Sequence, residues 1–143
     1  MNWRAAKLGQ GLRVKHGFAF KGEFFAKEGE LMVVTPGNFI EQGGFRVRPG
    51  KERFYTSDFP EAYLLGKGDL IVAMTEQGEG LLGSAARIPA DSAYLHNQRI
   101  GLVQVTDESL FNKQFLYWLF NSRTVREQIR GSATGTKVKH TAP

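Results

Sequence analysis

The 143-residue chain contains no cysteine, so it can build neither a disulfide framework nor a thiolate metal site or nucleophile, in keeping with a reducing compartment. Its three histidines, His16, His96 and His140, stand isolated, none with a partner at ligand spacing, and read as structural. No apolar run approaches the roughly 20 residues that a membrane helix needs, and Met1-Asn2-Trp3-Arg4 starts no signal-peptide pattern. The cytoplasm, with no membrane partner, is the expected location. No Asp or Glu is followed two residues later by Lys, the pairing found in many metal-dependent nucleases. The Asn-Pro-Pro-aromatic and Asp-Pro-Pro-aromatic runs of amino-methyltransferases and the Gly-x-Ser-x-Gly elbow of hydrolases are missing too. No catalytic residue, metal site or resident cofactor is therefore assigned, and the chain reads as a binder rather than an enzyme.

Two glycine-rich stretches invite a phosphate-binding reading and fail on context. Gly78-Glu79-Gly80-Leu81-Leu82-Gly83 matches the dinucleotide pattern G-x-G-x-x-G, but Pro89 arrives before a crossover helix could form, and Glu79 would repel a pyrophosphate. Gly131 to Lys137 has the wrong spacing for a phosphate loop, follows a helix rather than a strand, and opens no helix of its own.

The stretch that organises the chain is Leu65 to Thr75. A turn over Gly66 to Asp69 feeds the apolar run Leu70 to Met74, too short for a stable helix and rich in β-branched residues, which predicts a strand buried on both faces. The polar, glycine-rich Glu76 to Gly80 then leaves it as a loop at one edge of the domain. A rigid strand that presents a polar loop is a common way to build a binding site.

Around it, Lys15 to Lys21 reads as a short strand or a loop with buried aromatics, and Phe18, Phe20, Phe24 and Phe25 read as core. Leu31 to Thr35 is strand-like and stops at Pro36-Gly37. Phe39-Ile40 and Phe45 to Arg48 flank Gly43-Gly44, the pattern of a hairpin with its basic side chains on one face. Tyr55, Tyr63 and Leu64 anchor an irregular stretch, and Ile100 to Val105 gives a further strand. Leu110 to Phe120 changes to helical spacing through Phe111, Phe115 and Leu119 and through Leu116 and Phe120. Ser122 can cap a second helix, Arg123 to Arg130, with Val125 and Ile129 on one side and Arg123, Arg126 and Arg130 on others. Many short strands followed by helices predict a single α+β domain, strand-rich, with a central mixed or antiparallel β-sheet and C-terminal helices.

The net charge of +5 is uneven: residues 1–111 carry 13 basic and 13 acidic side chains, whereas residues 112–143 carry 6 basic side chains against Glu127. A second cluster, Arg46, Arg48, Lys51 and Arg53, is opposed by Glu52. Such clusters are the footprint of a polyanion binder, or else the solvated faces of a mildly basic protein.

Four pieces in order, Gly68 to Thr75, His96-Asn97-Gln98-Arg99, Phe115 to Leu119, and Ala133 to His140, resemble the specificity subunit of type I restriction-modification systems. The resemblance spans nearly the whole chain and implies one target recognition domain over residues 1–130. It implies also that residues 131–143 begin the junction to a helical spacer that the family carries beyond Pro143. In that family each recognition domain reads half of a bipartite double-stranded DNA site. Other subunits, a methyltransferase and a restriction subunit, perform DNA methylation and cleavage, and S-adenosylmethionine and ATP belong to them. Dimerisation would run through the spacer helices.

Arg, Gln and Asn are natural readers of guanine and adenine, and cations neutralise phosphates. The residues expected at DNA are Arg46, Arg48, Lys51 and Arg53, Gln77 in the loop after the central strand, Arg99, and Lys137 and Lys139 in the tail. Asn97 and Gln98 read as structural, since a motif shared among domains that read different sequences suits a structural role or a common phosphate contact. Thr134, Thr136, Lys137, Lys139 and His140 fall at the junction, where phosphate and methyltransferase are both open as partners. The rival reading is an orphan half-subunit, a protein-interaction domain that engages a methyltransferase without reading DNA.

Overall fold

A computed structural model describes residues 8–76, 80–131 and 139–140. The expected central strand is β6, Leu70–Ala73, buried along its whole length. It lies inside a four-stranded antiparallel sheet with β1 (Leu12–His16), β10 (Ile100–Val105) and β8 (Ala85–Arg87), in the order β1-β10-β6-β8. Alternation along β6 explains why its sequence is apolar at every position. Leu70 and Val72 face a core shared with Val103, Leu116, Phe120 and Val125, whereas Ile71 and Ala73 face another with Val34, Phe39, Leu65, Ile88 and Ile100.

The second sheet is built from two-residue strands: β2 (Phe25–Ala26), β3 (Met32–Val33), β4 (Phe54–Tyr55), β5 (Leu64–Leu65) and β9 (Tyr94–Leu95). Its order is β2-β4-β3-β9-β5, and β3 runs parallel to β9 while the other pairs are antiparallel. Strands this short hold register through side-chain packing. Val33, Tyr55 and Leu95 are buried under Phe20, Phe24, Phe25 and Phe59, with the Phe20 and Tyr55 rings edge-to-face at 4.8 Å. The predicted run Leu31 to Thr35 is thus cut to β3, because Thr35 to Asn38 folds into a tight 3₁₀ turn with Thr35 N–H donating to Asn38 Oδ1 at 2.8 Å. A further pair joins β7 (Thr75–Glu76) to β11 (Lys139–His140).

Two helices follow β10. α1 spans Lys113–Phe120 and starts three residues later than the periodicity predicts, because Asn112 Oδ1 accepts from Gln114 N–H at 2.8 Å and Asp107 Oδ1 from Ser109 N–H at 3.0 Å, closing a turn before the helix. Leu116 and Phe120 are buried as predicted, but Phe115 is 52% exposed, so the stripe is narrower than the sequence suggests. α2, Arg123–Gly131, carries the predicted Ser122 cap, with Val125 N–H 3.4 Å from its Oγ. Arg126 corrects the reading of α2: it is 8% exposed and lies inside.

The edge strand β8 is completed by a side chain. Asn121, at the end of α1, accepts from Ala85 N–H at 2.9 Å and donates to Ala85 O at 3.2 Å, taking the place of a neighbouring strand. Among the described residues, no helix is long and apolar enough to cross a membrane.

Candidate nucleic-acid interface

The Phe39/Phe45 hairpin forms, although as a single antiparallel bridge rather than a ladder. Its turn is closed by Gly43 N–H to Ile40 O at 2.9 Å and Ile40 N–H to Gly44 O at 3.0 Å, with Gly43 at φ 114° and Gly44 at φ 111°, conformations open to glycine. Asn38 ties the far side of the arm: its backbone carbonyl accepts from Arg46 N–H at 2.7 Å, and its side-chain amide donates to Arg46 O at 2.9 Å. The cations therefore leave a braced backbone.

Arg46 and Arg48 converge on Gly37. Arg46 Nε donates to Gly37 O at 3.2 Å, and Arg48 Nη1 lies 3.4 Å from where a Cβ on Gly37 would sit. Arg48, Lys51 and Arg53 line one small cavity of about 40 Å³ together with Gly37 and Asn38. All four cations are exposed, and none forms an ion pair with another described residue. Glu52, the acid amid them, accepts from Gly50 N–H at 3.0 Å and so closes its own turn. The result is a local excess of fixed positive charge, the arrangement that draws a polyanion.

The remaining expected residues lie elsewhere. Arg99 is exposed in the turn before β10, and its carbonyl accepts from Met74 N–H at 3.1 Å at the exit end of β6. Lys139 pairs with Glu76 in the β7–β11 ladder. Gln77 and Lys137, like Thr134 and Thr136, fall outside the described residues. Nothing described brings Arg99 or Lys139 into the Arg46–Arg53 cluster.

The His96-to-Arg99 turn is structural through most of its length. Phe18 N–H donates to His96 O at 2.9 Å, Gln98 N–H to Phe18 O at 3.1 Å, and Ile100 N–H to Asn97 O at 3.0 Å. Gly17 is what permits this approach, since a Cβ there would overlap the Asn97 carbonyl. His96 is fully buried, with Nε2 2.6 Å from Ile100 O, so Nε2 carries the proton. Burial pushes its pKa below the ordinary histidine value, and the hydrogen bond to Ile100 partly opposes this. Among the described residues no group of His, Cys, Asp and Glu could hold a metal ion.

Three features escaped the sequence reading. Arg87, on the edge strand, donates from Nη2 to Gln114 O at 2.9 Å and lies 4.4 Å over the Tyr117 ring. It lines a groove with Arg46, Val47 and Trp118. Phe115 and Trp118, one turn apart on α1, stand 52% and 66% exposed on the face opposite Leu116 and Phe120. The apolar residues all round α1 were the available signal, since one side of such a helix must lack a partner within the domain. Arg126 gave no sequence signal.

No family model matches the chain, and no curated protein matches it. The crystal structure of a type I restriction-modification system S subunit from M. genitalium is similar in fold, with a TM-score of 0.63 at 16% sequence identity. The match covers 99% of this chain and 31% of that one, so the chain spans about a third of its length. The strand-rich α+β architecture expected from the sequence is thus similar to that of part of this S subunit.

Proposed function

We propose that the chain is a non-catalytic DNA-specificity module that reads one half of a bipartite double-stranded site. The observation that carries this reading is the braced cation set Arg46, Arg48, Lys51 and Arg53, none ion-paired with another described residue, on a fold similar to that of an S subunit. The cations hold the phosphate backbone, and arginine forks with neighbouring loop side chains reach base edges in the major groove. Gln77, Arg99, Lys137 and Lys139 extend the contact beyond the arm. Methylation and cleavage fall to separate methyltransferase and restriction subunits, which bring their own S-adenosylmethionine and ATP. The complex works in the cytoplasm.

Fluorescence anisotropy against duplex DNA over a salt series tests this. Each phosphate contact contributes about −0.9 to the slope of log K against log salt. Arg48→Gln and Lys51→Gln each remove one cation, so each flattens the slope by about one such step. A slope near zero for the unaltered protein sinks the reading.

A second reading rests on Val47, Phe115 and Trp118, which are 46%, 52% and 66% exposed. These side chains suit a protein partner, and on this reading the chain engages a methyltransferase subunit without reading DNA. An apolar interface of that kind binds with little salt dependence, which separates the two.

A further inference from the structure

Arg126 is out of keeping with its helix. Its α2 neighbours Arg123, Glu127 and Arg130 are exposed, yet Arg126 is 8% exposed. Its guanidinium spans two segments distant in sequence. Nη1 donates to Glu41 O at 2.7 Å, in the turn from which the basic arm grows, while Nε donates to Leu82 O at 3.1 Å and Nη2 to Gly80 O, in the segment that enters β8.

Other ties join the same two segments. Ser84 Oγ donates to Ile40 O at 2.5 Å, and Gly44 N–H to Ala85 O at 3.0 Å. Gly80, at φ 104°, packs so close to Glu41 that a Cβ would lie 3.3 Å from the carboxyl carbon. A buried guanidinium is tolerated where its donors are filled, and its rigid planar fork reaches several carbonyls at fixed angles. An ammonium in its place is a point donor that cannot hold both segments in one plane.

We propose that Arg126 is the positioning residue of the basic arm: it locks the turn at residues 40–44 onto residues 80–84, so that Arg46, Arg48, Lys51 and Arg53 meet a duplex as one set. This rests on the DNA reading of that arm and adds what sets its geometry. The arm is thereby tied to α2 and not to the sheet alone, and Arg126 itself touches no DNA.

Arg126→Lys keeps the charge and removes the fork, so long-range attraction is unchanged and only placement is altered. Two readouts separate placement from stability. In native-state hydrogen exchange, the Gly43 and Gly44 amides should exchange about tenfold faster while the β1–β10 ladder keeps its protection. In anisotropy against a randomised duplex pool, the salt slope should fall by about 1–2 as arm contacts drop out of register.

Uniformly faster exchange, or unchanged arm amides, overturns the proposal. So does weaker binding with an unaltered slope. If the unaltered protein binds no DNA at low salt, the DNA reading fails by itself, and the exchange pattern alone decides whether Arg126 positions the arm. If Arg126→Lys does not fold, Ser84→Ala removes another tie between the same segments. Faster exchange confined to the arm then supports the proposal, and a uniform rise overturns it.

Discussion

Replacing Asn121 with alanine removes the side chain that stands in for a missing strand beside β8, and the cost follows from what is left behind. Ala85 O keeps a donor, Gly44 N–H at 3.0 Å, but Ala85 N–H loses its partner at 2.9 Å in a residue with no exposed surface. A buried donor left unsatisfied costs about 1–3 kcal/mol, and the lost donation to Ala85 O adds about 1 kcal/mol. The expected destabilisation is therefore ~2–4 kcal/mol, read as a lower urea midpoint at unchanged m-value.

Gly43 supplies the control. A Cβ there would overlap the Asn121 carboxamide, at a φ of 114° that itself disfavours a side chain. Gly43→Ala alone pays for both the overlap and the backbone. Beside Asn121→Ala it bears the backbone term only, so the double mutant should be more stable than the sum of the singles by about 1 kcal/mol or more. An Asn121→Ala change within about 0.5 kcal/mol of the unaltered protein, or an additive cycle, would refute the idea that this carboxamide serves as a strand.

His96 gives the molecule a pH dependence of known sign. Its folded pKa is lowered from 6.5 by burial, so the unfolded chain binds the extra proton first. Stability from this group is full above pH 6.5 and is lost as pH falls below it, until the folded protein takes up the proton too. Denaturation midpoints across that range should drop on the acid side, and His96→Phe should flatten the profile. Gly101→Ala should cost about 1–3 kcal/mol by overpacking, because the new methyl would overlap Val14 Cγ1 and lie 3.0 Å from Val72 Cγ2; thermal unfolding measures it. Leu116→Ala should lose about 2–5 kcal/mol from the core, whereas Trp118→Ala, on the exposed face of the same helix, should stay within about 0.5 kcal/mol.

What could be read from sequence was the part set locally. Leu70 to Ala73 announces itself because a strand buried on both faces needs apolar residues at consecutive positions. Ser122 announces α2 because its hydroxyl answers an orphan N–H at the helix start. The second sheet was not legible, since two residues carry no periodicity and the parallel pairing of β3 with β9 depends on contacts about 60 positions apart. Charge alone marks the four cations from Arg46 to Arg53 in the sequence, whereas Gly37, where two of them meet, reads there only as part of a turn. Arg126 reads only as lying off the Val125 and Ile129 side of α2, and a charged residue on a short amphipathic helix usually faces solvent. Its carbonyl partners lie 44 or more positions away, where no local pattern reaches.

Selection from a randomised duplex pool at low salt, with recovery and sequencing of the bound fraction, distinguishes base readout by this domain from a hold on phosphate alone. If the proposed base readout holds, the bound fraction is enriched in a motif of a few base pairs, and its preferences change when Arg46, Arg48 or Gln77 is substituted. Bound DNA with no enriched motif, or no binding at low salt, would contradict it.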